Sequence, residues 1–253
     1  MTLTSSRRLP SVPVPDAPHP EVVDRDRWQA QLDELLVREK AHTREGDAIA
    51  AARRRLPMVE VDPAATVVGP AGGTPFVDTF EGRRILVGYF HMWHDGQPWE
   101  GQCEGCTAIA WQLQPATPYL NARDATLAVF TEGDFTESSP YAEWLGHRTP
   151  WYSARGSSVV AGRSFGFLAC FLRTEEGRVF ETYWSTDRGT EAMLTHYMLL
   201  DRTVFGRQEP WEDSPAGWPR IPSGQHQWRV DGRPLAQWER TDEPVDPTGG
   251  HHH

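Results

Sequence analysis

Arg84-Ile85-Leu86-Val87-Gly88-Tyr89-Phe90, followed shortly by Cys103-Glu104-Gly105-Cys106, is the stretch from which the fold is read. The first run is almost continuously apolar. That predicts a strand covered on both faces rather than one with a solvated side. Cys103 opens a segment with Ile109, Trp111 and Leu113 among its apolar residues, which predicts a helix from Cys103 to about Leu120. A pair of cysteines three apart therefore stands at a strand-to-helix junction.

Downstream, Ala125-Thr126-Leu127-Ala128-Val129-Phe130 is the body of a second strand, beginning at about Asp124. Ser138 to Leu145 reads as a short helix, and Phe165 to Arg173 as a third strand. Glu175-Glu176-Gly177-Arg178 is a hairpin turn into a fourth strand, Val179 to Trp184. Met193, Leu194, Tyr197 and Leu200 fall at helical spacing within Thr190 to Leu200. Parallel strands need crossovers, so this order predicts an α/β fold with a central mixed sheet of four or more strands. Helices would flank it on both faces, which is thioredoxin topology.

Upstream, Asp24 is placed to cap a helix running to about Arg55. Trp28, Leu32, Leu35, Leu36 and Ile49 form a partial apolar stripe, and Pro57 closes the helix. Arg53-Arg54-Arg55 suits the negative end of the helix dipole. Short extended pieces are expected at Met58–Val61 and Thr66–Val68. Gly69 to Gly73 reads as a turn-rich break, and Phe76 to Phe80 as another short element.

Four segments follow from this. Residues 1–23, rich in proline, read as a disordered or loosely docked tail. Residues 24–200 form the thioredoxin-like domain with its leading helix. Residues 201–248 are an extension carrying Trp211, Trp218, Trp228 and Trp238, which packs on the domain or on a partner subunit in a homodimer. Residues 249–253 are tag-like.

Of 253 residues, only three are cysteines, and the formal net charge is −10. Acid in excess of base argues against nucleic acid as a partner. No run approaches the roughly 18 apolar residues that span a bilayer, and Met1 to Pro20 lacks a secretory apolar stretch. A cytoplasmic location is the expectation. There a lone C-x-x-C pair reads as a redox or metal site. Cys170, inside Phe167-Leu168-Ala169-Cys170-Phe171-Leu172, reads as a packed apolar residue.

A thiolate at a helix start is stabilised by unpaired N–H groups and the positive end of the dipole. Free cysteine has a pKa near ~8.5, and C-x-x-C cysteines at helix starts fall to ~7 or lower. Cys103 is thus the expected nucleophile, and Cys106, on the same helix face, the resolving thiol. Glu104 opposes this with a negative charge, and the residues alone do not say which influence wins.

Several blocks in a fixed order carry a family resemblance. They are Glu39-Lys40-Ala41-His42-Thr43-Arg44, Arg53-Arg54-Arg55-Leu56-Pro57, Trp99-Glu100-Gly101-Gln102-Cys103-Glu104-Gly105-Cys106-Thr107 and Ala122-Arg123-Asp124-Ala125-Thr126. Pro150-Trp151-Tyr152-Ser153, Val179-Phe180-Glu181-Thr182-Tyr183 and Arg188-Gly189 through to Gly206-Arg207-Gln208-Glu209 complete the set. From about Trp28 to Trp218 the chain resembles the bacterial domain-of-unknown-function 899 family, labelled thioredoxin-like predicted dithiol–disulfide oxidoreductases. The resemblance implies a thioredoxin-like fold and a thiol redox role with a protein or small-molecule thiol or disulfide as substrate. The dithiol departs from the Trp-Cys-Gly-Pro-Cys of ordinary thioredoxins. Phe165-Gly166-Phe167 also lacks the proline that thioredoxins place opposite the dithiol.

His91, His94, Cys103 and Cys106 give H-x-x-H followed by C-x-x-C, a donor set that suits zinc or copper if the four converge. Metal binding is the alternative to dithiol chemistry, which needs no cofactor. Trp93, Trp99 and Arg188 are the candidate substrate-binding residues, Arg188 as a partner for an anion or a thiolate. A non-catalytic binding module built on Tyr89, Trp93 and Trp99 is the third reading.

Overall fold

The computed structural model describes residues 18–221, 228–230 and 232–237. The tail expected at 1–23 falls largely outside the described residues, and the tag-like 249–253 wholly so. Helix α1 spans Arg25–Arg53, and the Asp24 carboxylate accepts from the Arg27 N–H at 2.8 Å. Strands β1 (Val59–Val61), β2 (Thr66–Gly69) and β3 (Gly72–Pro75) follow, then a 3-10 turn over Phe76–Phe80. Next come β4 (Ile85–His91), α2 (Glu104–Leu113), α3 (Thr117–Asn121), β5 (Ala125–Thr131), α4 (Phe135–Trp144) and β6 (Trp151–Ser153). β7 (Phe167–Arg173), β8 (Val179–Thr186) and α5 (Thr195–Leu200) complete the domain, and β9 (Arg229–Val230) and β10 (Arg233–Pro234) form a small separate ribbon.

The main sheet has eight strands in the order β1-β8-β7-β4-β5-β6-β2-β3. At its centre β4 and β5 run parallel, β7 is antiparallel to β4, and β8 is antiparallel to β7. That set of directions around a β4-α2-β5 crossover is the thioredoxin arrangement. β5 explains why the centre is unambiguous: all seven of its residues are buried, so its apolar character is continuous.

Both sides of the sheet are packed, but not in the same way. On one side α2, α4 and α5 lay Cys106, Ile109, Ala142 and Tyr197 against Tyr89, Val129, Trp151 and Leu168. The other side was expected to carry helices too; among the described residues, no α-helix contributes to its buried cluster. Phe76, Phe80, Val159 and Val160, on 3-10 turns, fill it against Phe90, Phe130, Phe167 and Phe171. Close-packed rings, such as Phe90 on Phe167 at 4.2 Å, do there what a helix would do elsewhere.

Three elements differ from expectation for local reasons. The helix expected from Cys103 to Leu120 ends at Leu113 and rewinds through a 3-10 turn into α3, because Pro115 and Pro118 lack the N–H that a continuous ladder needs. Gly72–Pro75 pairs with β2 as a strand instead of serving only as a turn. The helix expected over Thr190–Leu200 is a 3-10 turn at Asp187–Met193 and then α5, separated by an extended Leu194.

No residue of α1 is buried. Among the described residues no helix is long and apolar enough to cross a membrane.

Candidate active site

The dithiol is positioned from both ends of one crossover. β4 ends at His91, Met92 follows it, the chain loops through a 3-10 turn at Trp99–Gly101, and α2 begins immediately after Cys103. Gln102 holds the loop closed. Its fully buried side chain accepts from the His94 N–H at 2.9 Å and donates to the carbonyls of His94 at 3.1 Å and Gln97 at 3.2 Å.

Cys103 is the N-cap of α2, and its sulfur accepts from the Cys106 N–H at 3.4 Å. A cysteine here does what a serine or aspartate does at other helix starts, satisfying an otherwise orphaned donor. Behind it, Thr107 Oγ1 donates to the Cys103 carbonyl at 2.7 Å and meets the Tyr141 hydroxyl at 3.0 Å. Cys106 points inward and is buried. Its sulfur accepts from the Met92 N–H at 3.4 Å and pairs with the Tyr89 hydroxyl. Both are free thiols.

Their electrostatics are opposite. Cys103 is lowered to about 6, chiefly because the Cys106 thiol hydrogen-bonds to its sulfur, with backbone N–H groups and His94 adding to the effect against a burial penalty. Cys106 is pushed well above the ordinary thiol range by that same bond, by burial and by the Cys103 charge. One proton is therefore shared unequally: a partly buried thiolate at Cys103 is backed by a buried thiol. Cys170 is pushed up to about 11 by burial and has no part in this.

The proposed metal set does not assemble. Among the described residues no three of His, Cys, Asp and Glu are grouped so as to hold a metal ion. His94 Nδ1 faces the Gly101 carbonyl at 3.0 Å, which fixes the proton on that nitrogen, while Nε2 turns to Met92 Sδ at 3.4 Å. His91 is fully buried beside Trp151, at 5.3 Å between ring centroids, and His147 lies 5.4 Å from the same indole. Burial lowers His91 to about 3 and His147 to about 4, so both are neutral core imidazoles.

The aromatic candidates divide. Trp93 is a core residue: it is buried against Tyr141 and Leu145, and a Cβ at Gly133 would stand 2.5 Å from its ring. Tyr89 is likewise buried, under Cys106. Trp99 is half-buried against Tyr141 and Trp144, next to the dithiol turn. Arg188 turns to Glu191 at 3.6 Å and stacks on Trp211 at 3.8 Å.

The sequence reading overlooked a group supplied by the far end of the chain. The Trp228 ring lies on Gly105, so close that a Cβ there would be 2.7 Å from it. Arg229 Nε pairs with Glu104 Oε2 at 2.9 Å, and its two terminal nitrogens donate to the carbonyls of Glu100 and Gln102. Arg233 meets Glu100 at 3.3 Å. Gln237 donates to the Trp99 carbonyl at 2.9 Å and to the Tyr141 hydroxyl at 3.0 Å. The one local signal for this piece is Val230-Asp231-Gly232-Arg233, since Asp-Gly between extended residues marks a two-residue hairpin. Val230 does pair with Arg233.

Comparison with known proteins gives one family and a set of distant folds. The family model described as bacterial protein of unknown function (DUF899) matches residues 17–242. No curated protein matches the chain. Among solved structures it is similar to Xanthomonas campestris peroxiredoxin Q, at 16% identity over 56% of this chain and 94% of that one, with a TM-score of 0.37. It is also similar to a putative thiol:disulfide interchange protein DsbE from Chlorobium tepidum, at 13% identity over 56% and 98% of the two chains and a TM-score of 0.37. A putative protein disulfide isomerase from Bacteroides thetaiotaomicron matches at 13% identity over 57% and 91%, with a TM-score of 0.36.

Proposed function

The chain belongs to the bacterial DUF899 family, and from the geometry of its dithiol we propose that it is a thiol–disulfide oxidoreductase with Cys103 as nucleophile and Cys106 as resolving thiol. The observation that carries this is the cap itself: the Cys103 sulfur, partly buried, receives the Cys106 N–H at the first turn of α2. A thiolate so held is ionised at neutral pH yet still nucleophilic, since nucleophilicity falls only in part as the pKa falls.

The Cys103 thiolate attacks one sulfur of a substrate disulfide, R–S–S–R′. The S–S bond breaks, Cys103 is joined to RS in a mixed disulfide, and R′S⁻ leaves and takes up a proton. Cys103 has then lost its charge, and with it one cause that holds the proton on Cys106. Cys106 deprotonates and attacks the Cys103 sulfur. The intramolecular disulfide forms, RS⁻ leaves, and two electrons have passed from the dithiol to the substrate. The reverse sequence oxidises a substrate dithiol.

The test is trapping. Reduced protein mixed with an aromatic disulfide should release two thiols per chain and end with a Cys103–Cys106 bridge. Cys106→Ser should stop at a stable mixed disulfide on Cys103, identified by peptide mass spectrometry. Trapping on Cys106 or Cys170, or failure of the wild-type pair to bridge, removes the proposal.

A further inference from the structure

We propose that Arg229 is a positioning residue of the dithiol site: it neutralises the Glu104 carboxylate that stands between the two cysteines, so that the start of α2 can hold Cys103 as a thiolate. This rests on the reading of Cys103 as the nucleophile and adds a partner for it from the far end of the chain.

Glu104 is the first residue of α2, next to the nucleophile in sequence. An unpaired carboxylate there would oppose a neighbouring thiolate directly, because like charges within a few ångströms disfavour one another's ionised form. It is not left unpaired. Arg229 Nε lies 2.9 Å from Glu104 Oε2, and the two side chains are only 14% and 15% exposed, so solvent does little to screen either charge. The guanidinium also donates to the carbonyls of Glu100 and Gln102, the backbone groups that lead into Cys103. The planar guanidinium holds its donors in fixed directions, and here one fork meets the carboxylate and both carbonyls at once. Trp228 fixes the approach by sitting on Gly105 and packing against His196 and Tyr197 at 5.9 and 5.4 Å.

The other titratable or charged groups around the Cys103 sulfur come from each packed element. They are Cys106 on α2, His94 on the loop, Tyr89 on β4, Tyr141 on α4, and Glu100, which Arg233 meets. Glu104 is the acid that adjoins the nucleophile in sequence, and Arg229 is a cation that meets it at 2.9 Å.

The experiment follows the pH dependence of iodoacetamide labelling of Cys103, resolved by peptide mass spectrometry, in the full-length reduced protein. No redox substrate is involved, so a failure of disulfide exchange and a failure of this proposal are separable. Arg229→Ala should raise the labelling midpoint by about one unit, which is about tenfold less thiolate below the midpoint. Adding Glu104→Gln to that variant should return the midpoint to the parent value, a rescue that a merely structural role of Arg229 would not give. Glu104→Gln alone leaves the cation in place and should lower the midpoint, and it decides the matter if Arg229→Ala fails to fold by near-ultraviolet circular dichroism. An unchanged midpoint in Arg229→Ala, a raised midpoint that Glu104→Gln does not reverse, or no fall in Glu104→Gln alone overturns the proposal.

Discussion

Helix α1 and the short piece at 228–237 stand at opposite ends of the chain and contribute in inverse proportion to their size. α1 has 29 residues, a well-made N-cap and no buried residue; Val37 is 68% exposed and Trp28 45%. The C-terminal piece has little regular structure, yet it places an indole on the dithiol turn, a cation on the acid between the cysteines and an amide on Tyr141. Regular secondary structure measures how a segment satisfies its own backbone. Contribution to a site depends on which groups it removes from water and pairs, and that is set by where the segment lands.

Substitutions at Trp228, Gly105 and α1 test this contrast. Trp228→Ala should have the largest effect, a loss of about 2 kcal/mol in urea unfolding, because it removes a large ring from the α2-side core. Gly105→Ala comes next and should change sign with its background. In the parent chain the new Cβ meets Trp228 at 2.7 Å, and the overpacking should cost about 1 kcal/mol net. In Trp228→Ala the same change should stabilise by about 0.5 kcal/mol, since alanine is the better helix former once the ring is gone. A destabilisation of equal size in both backgrounds would mean that Trp228 does not rest on that glycine. The smallest effect belongs to α1: Leu35→Gln and Val37→Gln should each stay within about 0.5 kcal/mol of the parent by the same unfolding measurement. A larger loss at either would show that α1 is covered, and the contrast would collapse.

The contrast also marks what could be read from the residues. The Asp24 cap, the buried runs of β4 and β5, the Glu175–Arg178 turn and the placement of Cys103 at a helix start are local patterns, and each appears where expected. So does the thioredoxin-type strand order, because a parallel pair with a crossover and a following hairpin leaves few arrangements. Trp93 stands in a polar stretch of sequence, where a tryptophan resembles a ligand contact; its burial against Tyr141 and Leu145 and the room left by Gly133 place it in the core. On the second face Phe76 and Phe80 sit on a 3-10 turn, which carries no helical period to read. Glu104 posed a question that local pattern could not answer. Its counter-ion is Arg229, whose guanidinium also bonds Glu100 across 129 positions of sequence. Periodicity says nothing about pairs that far apart.

The unequal sharing of one proton between Cys103 and Cys106 is most directly tested by labelling all three thiols of the wild-type protein with iodoacetamide from pH 4 to pH 10. Thiolate forms as pH rises through each group's pKa. Cys103 should therefore label with a midpoint of about 6 and be at its plateau by neutrality, while Cys106 and Cys170, held above the ordinary range, stay unreactive there. A Cys103 midpoint near the ~8.5 of a free thiol, or labelling of Cys106 ahead of it, would contradict the account.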